Sequence, residues 1–330
     1  MNRRDFLKVS ALAACTSLLP TLKFKGAENW LADLVATADA AWPSYPKKIW
    51  NARLNTNMPD LYALYGWIDV PQFTRASDPA YLSTWPVGTD EPSESWHQNF
   101  AAVVRSYNLP VKAIHVDHEE WLISTQAERL ATATKFANFA RTFKTNLPDY
   151  QIGFYGYSEI NSFVPNTYPG TGAFATFQSK NNDMAAMYQD VDYFCPSFYW
   201  PYRRSADPTY PKDYQVKNHI IVHALEQRRL AHVYGHDQPI YPYVWERDGV
   251  GSGVGTLQDF DIIELIYQTT YQYADGMTIW GGFHDSTGAQ VQQTWAQDTA
   301  ANAQGAWWNN VLGPRASSGR YWGPADGNRP

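Results

Sequence analysis

The sequence predicts a single α/β domain, most simply a parallel β/α barrel, on three observations. Short apolar strands alternate with amphipathic helical stretches from residue 47 to about residue 300. Composition keeps one regime over that span, with no linker, internal repeat or low-complexity segment. The 330 residues also exceed the roughly 250 that one such barrel needs.

Residues 1–25 read as an address rather than as fold. Arg3-Arg4-Asp5-Phe6-Leu7-Lys8 looks like a twin-arginine export signal. The apolar run 9–22 that follows is broken by Pro20 and is too short for a spanning helix. Leu12-Ala13-Ala14-Cys15 also resembles a lipoprotein cleavage box, which leaves a lipid anchor at Cys15 as an alternative end state. The expected location is periplasmic, cell-surface or extracellular, with no integral span in the mature chain. Beyond the signal Cys195 is the only cysteine, so the mature chain cannot form an internal disulfide. That fits a route that carries proteins already folded in a reducing cytoplasm. Residues 26–330 then make up one barrel domain.

A short Ala-rich helical stretch at 30–42 precedes the first strand at 47–53. Residues 54–92 read as loops around a short strand at 62–67. Ser93 caps a helix to about residue 108, with Phe100, Val103, Val104 and Tyr107 at helical spacing. The strand 113–116 ends in an acid cluster. A helix at 126–147 turns Leu130, Phe136, Phe139, Phe143 and Leu147 inward, and Pro148 ends it. Next come a strand at 151–157, a Pro/Gly/Asn-rich rim excursion at 160–182, and a strand at 192–200. A helix at 216–234 is capped by Gly235. The strand 240–245, a Gly-rich loop at 249–255, a helix from Thr256 to about 274 and a strand at 277–280 complete the alternation. The tail from 304 has no period.

Aromatic residues make up 15% of the chain, including 14 Trp and 22 Tyr, and flat aromatic faces stack on the apolar faces of sugar rings. The composition therefore favours a polysaccharide or glycan ligand. A net charge of -6 argues against nucleic acid, which needs a basic face.

The chemistry centres on Asp117-His118-Glu119-Glu120-Trp121. Residues i and i+2 of a strand share a face, so Asp117 and Glu119 point one way and His118 and Glu120 the other. Two carboxyl groups held close cannot both ionise freely, and the one with the raised pKa suits a general acid. The strand's carboxyl end is also where a barrel keeps its catalytic residues. An isolated D-x-E more commonly caps a helix in solvent, so the pair needs support from the rest of the chain.

The other candidates reduce to structure. The glycines of 249–255 lack the Lys-Ser/Thr of a phosphate loop, and Ser252 lacks the strand-to-helix turn of a nucleophile elbow. His219/His223 and His232/His236 form two i,i+4 pairs on roughly opposite faces of one helix, so they cannot share a metal, and no metal or other cofactor is expected. Arg228-Arg229 reads as a solvated pair, while Arg203-Arg204 follows a strand end and could face an anionic sugar.

Taken together, the strand ends resemble the hyaluronidases of glycoside hydrolase family 56. Ile49-Trp50-Asn51 resembles the family's V-W-N first strand, and Asp117-His118-Glu119-Glu120-Trp121 its D-W-E-E-W catalytic strand. Gly153-Phe154-Tyr155-Gly156-Tyr157, followed by Asn161, is similar to its G-[FY]-Y-G-F-P-D-C-Y-N segment. Cys195-Pro196-Ser197-Phe198-Tyr199-Trp200-Pro201 is similar to Y-P-S-I-Y-x-P, residues 239–247 to its P-V-[FY]-x-Y strand, and Ile279-Trp280 to its late L-W. The matches keep their order over residues 49–285.

The resemblance implies a distorted, TIM-like barrel and retaining hydrolysis of a β-linked N-acetylhexosaminide without a protein nucleophile. It makes Glu119 the acid/base and makes Asp117 the group that orients the substrate's acetamido arm. Tyr155 and Trp280 would line that sugar's subsite, and Tyr199, Trp121, Tyr193 and Trp50 complete the candidate substrate-binding set. Three departures stand out. Cys195 replaces the family's Tyr before Pro-Ser, Leu122-Ile123 replaces an Arg-Pro, and the family's disulfides are absent. Two rival readings are a two-carboxylate barrel glycosidase, using Asp117 and Glu119 or another strand-end acid such as Glu246 or Asp285, and a non-catalytic carbohydrate-binding barrel.

Overall fold

The computed structural model describes residues 48–51, 62–63, 67–69, 91–106, 112–118, 121–156, 171–200, 213–245, 258–280, 282–284 and 290–292. The export signal, the 30–42 helix, Glu119, the 249–255 loop, Arg203-Arg204 and the tail lie outside them.

Parallel pairing organises the chain. Strands β1 (Lys48–Asn51), β2 (Tyr62–Ala63) and β3 (Trp67–Asp69) are followed by helix α1 (Glu94–Ser106), β4 (Ala113–Asp117), α2 (Gln126–Asn146) and β5 (Gln151–Phe154). Then come α3 (Gly172–Asn182), α4 (Ala185–Tyr188), α5 (Asp213–Tyr234), β6 (Tyr243–Trp245), α6 (Phe260–Tyr273) and β7 (Gly276–Trp280). A hairpin of β8 (Gly282–His284) and β9 (Gln290–Gln292) is antiparallel. One sheet runs β2-β1-β7-β6 and another β3-β4-β5, parallel throughout.

Single parallel bridges join the two sheets. Tyr155 pairs with Cys195, Phe194 with Ile240, and Ser197 with Tyr243. The predicted strand at 192–200 is thus present as extended chain between β5 and β6, but not as a regular ladder. Pro196 has no N–H to give and interrupts the pairing. Its carbonyl still accepts from Tyr243 N at 2.8 Å. The pairing therefore follows chain order from β3 round to β7 and returns to β1. Among the described residues no ladder joins β2 to β3. The expected 62–67 strand is divided between these two, which belong to different sheets.

Each strand has two faces because side chains alternate. On β4, Ile114 and Val116 join a core cluster with Trp96, Phe100, Phe136, Phe139, Phe143, Ile152 and Phe154, between the β3-β4-β5 sheet and the helices. Ala113 belongs to a separate cluster on the opposite face, with Tyr193, Cys195, Tyr241 and Tyr243. A third cluster packs Val216, Ile220 and Ala224 of α5 against Ile262, Ile266 and Tyr267 of α6.

Helix α2 begins with a capping box that was not read from the sequence. Thr125 Oγ1 accepts from Glu128 N at 3.2 Å, and Glu128 Oε2 accepts from Thr125 N at 2.8 Å. Phe136, Phe139, Phe143 and Leu147 are buried as expected, but Leu130 is 51% exposed. Arg129 and Thr132 occupy the helix's inward face in its place, because the chain leaving β4 needs polar anchors there. The 160–182 excursion ends in a helix rather than a rim loop. Thr171 caps it, and Phe177 and Asn181 face inward one turn apart. Helix α6 is led by Asp259, while the expected cap Thr256 lies outside the described residues.

The strands' amino ends are pinned by acids. Asp192 accepts from Ile152 N at 2.9 Å and pairs with Lys144, and Asp275 accepts from Ile240 N at 2.9 Å and pairs with Arg228. Arg229 reaches Glu226 at 2.6 Å. Arg228 and Arg229 are thus structural ion-pair partners rather than a solvated pair.

Phe136 touches both the chain after β4 and the strand beside it, with ring centroids 4.7 Å from Trp121 and 4.4 Å from Phe154. Phe136→Ala is expected to cost about 3–5 kcal/mol. The check is the denaturant midpoint, which should fall with the slope preserved.

Candidate functional site

Asp117 closes β4 at its carboxyl end. Its backbone stands in register with Asp69 at the end of β3. Tyr155 N donates to Val116 O at 2.9 Å, so the β4–β5 ladder extends to the position beside Asp117. The side chain of Asp117 and the whole of Glu119 fall outside the described residues. The sequence reading missed Asp69 because it ended that strand at residue 67. The signal was the repeat of an apolar run terminated by Asp, as in β4.

The segment leaving the acid cluster is fixed. Arg129 Nη1 donates to Ile123 O at 3.1 Å and Ser124 O at 3.0 Å, while its Nη2 lies 2.9 Å from Asp183 Oδ2. Thr132 Oγ1 donates to Leu122 O at 2.7 Å. Trp121, expected beside substrate, is placed in the core instead. It is 2% exposed and edge-on to His118 and Phe136, with Lys135 Nζ 5.5 Å from its ring. Its bulk therefore holds the end of β4 against α2.

Beneath the strand ends, on the face turned away from the helices, lies a buried polar-aromatic floor. His115 Nδ1 shares a hydrogen bond with the Tyr243 hydroxyl at 2.9 Å and lies 3.6 Å from Cys195 Sγ. All three are at most 1% exposed. Burial lowers the His115 pKa to about 3 and pushes the Cys195 thiol up. Both groups are neutral near pH 7, which rules out a thiolate–imidazolium nucleophile here. Tyr193, another expected substrate contact, is 1% exposed and donates its hydroxyl to Ile114 O at 2.7 Å. Its ring lies against Gly153, where an added Cβ would stand 2.5 Å from Tyr193 Cε2. Glycine is required there by the close approach.

Above this floor stand half-buried aromatics. Tyr155 lies with its ring centroid 4.9 Å from that of Tyr243, and its hydroxyl donates to Ser197 Oγ at 3.3 Å. Tyr199 lies 5.9 Å from Tyr155, and Trp245 lies 5.7 Å from Tyr199. The register sets the backbones of Trp245 and Trp280 opposite each other, and that of Trp50 beside Thr278. The structure thus groups Tyr155 and Tyr199 at the carboxyl edge of the sheet near Asp117, and it adds Trp245, which the sequence reading left out. The signal for Trp245 was its place at the end of the 240–245 strand.

His219 and His223 are buried, with ring centroids 4.5 Å apart, and Trp200 and Phe177 pack on them. Among the described residues no group of three or more His, Cys, Asp or Glu could hold a metal ion. Among them too, no helix is long and apolar enough to cross a membrane.

No protein-family model matches the chain, and no curated protein matches it. Among solved structures, the chain is similar to bee venom hyaluronidase in complex with a hyaluronic acid tetramer. The identity is 16% over 68% of this chain and 76% of that one, with a TM-score of 0.46. A second bee venom hyaluronidase structure gives 14% identity over 82% and 99% of the two chains, at a TM-score of 0.46. A GH18 chitinase from Pseudoalteromonas aurantia gives 14% identity over 66% and 67%, at 0.39.

Buried histidines give the fold a pH signature. Burial lowers His118 to about 4, with Lys135 adding to the effect, and lowers His97 to about 4 against the opposing pull of Glu94. His115 joins them at about 3. Each folded-state pKa lies below the unfolded value near 6.5, so the unfolded chain binds more protons. Stability is full above about pH 6.5 and falls as pH drops from there toward 4. Urea midpoints at pH 7.5 and 4.5 check this, with a lower midpoint at 4.5 and a smaller difference in His118→Asn.

Proposed function

We propose that the chain is an exported glycoside hydrolase that cleaves a β-linked N-acetylhexosaminide in a polysaccharide or glycan. One observation carries the reading. The motifs that resemble the hyaluronidase family are scattered from Trp50 to Trp280 in sequence, yet they occupy neighbouring parallel segments of one fold. Asp117, Tyr155, Tyr199 and Trp280 come at or just beyond the carboxyl ends of those segments, where α/β folds keep their ligands. A closed, distorted barrel is the simplest completion of that order.

In this mechanism the substrate's own acetamido oxygen attacks the anomeric carbon while Glu119 protonates the departing glycosidic oxygen. Glu119 then takes a proton from the water that opens the cyclised intermediate. Asp117 holds the acetamido N–H and offsets the positive charge that develops there. The protein forms no covalent bond to sugar, an exception to the two-carboxylate scheme. Arg3 and Arg4, in a stretch that looks like a twin-arginine signal, support an activity outside the cytoplasm, either free or tethered through Cys15.

Glu119→Gln preserves shape but removes the proton, and is expected to lower kcat about 10²–10⁴-fold. Asp117→Asn should also slow the reaction, and the double variant should lose far less than the product of the two. A matched glycan without the acetamido group should not be cut. A second reading draws on the Asp69–Asp117 register, which sets the backbones of two acids side by side at the carboxyl ends of adjacent strands. Two carboxyl groups about 5–5.5 Å apart would act as a nucleophile and acid pair. A glycosyl ester trapped on either Asp, detected by mass spectrometry, would establish it in place of substrate assistance.

A further inference from the structure

The chain between β4 and α2 is anchored at every residue from Trp121 to Thr125. The Trp121 ring is buried against His118 and Phe136. The next three carbonyls each accept from a side chain of α2: Leu122 O from Thr132 Oγ1, and both Ile123 O and Ser124 O from Arg129 Nη1. Thr125 N donates to Glu128 in the capping box. Arg129 is itself held, since its Nε and Nη2 both lie 2.9 Å from Oδ2 of Asp183, the residue that closes α3. Gln126 Nε2 donates to the other oxygen, Oδ1, at 3.0 Å. Stability alone does not call for this arrangement. Of two adjacent residues on α2, Arg129 is buried while Leu130 is 51% exposed. Burying an ion pair costs desolvation that an apolar side chain in the same place would not incur. What the arginine supplies is direction, because its planar fork fixes two carbonyls and one carboxylate at once.

Glu119 directly follows buried His118 and precedes buried Trp121 by two residues. We propose that the Arg129–Asp183 clamp is a positioning device for Glu119, holding the chain beyond it so that the carboxyl group meets the departing glycosidic oxygen. The clamp rests on the hydrolase reading above and adds to it residues that act through the backbone rather than on the sugar. General acid help depends on placement, and a shift of about 1 Å can cost on the order of a hundredfold. The help matters most where the leaving group is poor. A displaced Glu119 therefore slows departure of a weakly acidic alcohol, but not that of a strongly acidic phenol, which leaves without a proton.

The test uses the full chain and β-glycosides of N-acetylglucosamine oligomers whose leaving groups run from dinitrophenol to a plain alcohol. The quantity read is kcat/KM across the series, which reports the bond-breaking step. Arg129→Gln and Asp183→Ala should each lower it about ten- to a hundredfold for the alcohol and leave the dinitrophenol member nearly unchanged. The dependence on leaving-group acidity therefore steepens. The two substitutions together should lose little more than either alone, since both act through one segment. Thr132→Val, which removes only the hydroxyl on Leu122 O, should steepen the slope by less. Arg141→Gln breaks the pair with Asp190 on the same helix and should leave the slope as it is. Each variant's unfolding midpoint is measured alongside, so that folded chains are compared. An unchanged slope in folded Arg129→Gln or Thr132→Val, an equal loss for every leaving group, or the same steepening in Arg141→Gln overturns the clamp and leaves the hydrolase reading standing. If the unaltered chain cleaves no member, or Glu119→Gln cleaves all of them as fast, the hydrolase reading falls and the clamp with it.

Discussion

The site depends on the register of β4 between β3 and β5. Strand side chains alternate with a period of two, so a slip of one residue would turn His115 toward the helices and Ile114 toward the floor. The actual register leaves Ile114 and Val116 against Phe136 and Phe154, and leaves His115 on Tyr243. The same register brings Asp117 level with Asp69 and beside Tyr155. A single apolar alternation therefore places both the core and the acids.

The two ends of the parallel sheet divide the work. At the amino ends, Asp192 accepts from Ile152 N near the start of β5 and Asp275 from Ile240 N just before β6, while a helix cation neutralises each. These pairs fix where strands begin, and hence where they end. Asp275 is 3% exposed, so its charge requires Arg228. At the carboxyl ends the packing stops short of complete burial, and Tyr155, Tyr199 and Trp245 are half-buried. Between the two lies the neutral His115–Tyr243–Cys195 layer, which supports the upper rings without contributing charge.

Much of the fold was legible in the sequence because helices announce themselves locally. The Phe136, Phe139 and Phe143 spacing and the Pro148 stop gave α2 almost to the residue. Parallel strand order was legible only as alternation, since pairing partners are far apart in sequence. The 194–197 segment shows the difference. Its apolar residues predict a strand, but Pro196 reduces the pairing to single bridges. The neighbouring strand-end positions of Asp117 and Tyr155 were legible from motif position. Trp121 was misplaced because an aromatic next to acids looks the same in sequence whether it faces sugar or Phe136. Leu130 was misplaced because helical spacing says nothing of the polar anchors, Arg129 and Thr132, that the β4 exit demands.

The central claim is that the carboxyl edge around Asp117 and Tyr155 receives an N-acetylhexosamine whose acetamido arm does the chemistry. The most direct measurement is a crystal structure of the chain with an N-acetylhexosamine thiazoline, which mimics the cyclised intermediate. The account predicts the thiazoline ring within hydrogen-bond distance of the Asp117 carboxylate, with the sugar seated against Tyr155. A thiazoline bound away from that edge, or no binding by a chain that cuts N-acetylated glycans, would contradict it.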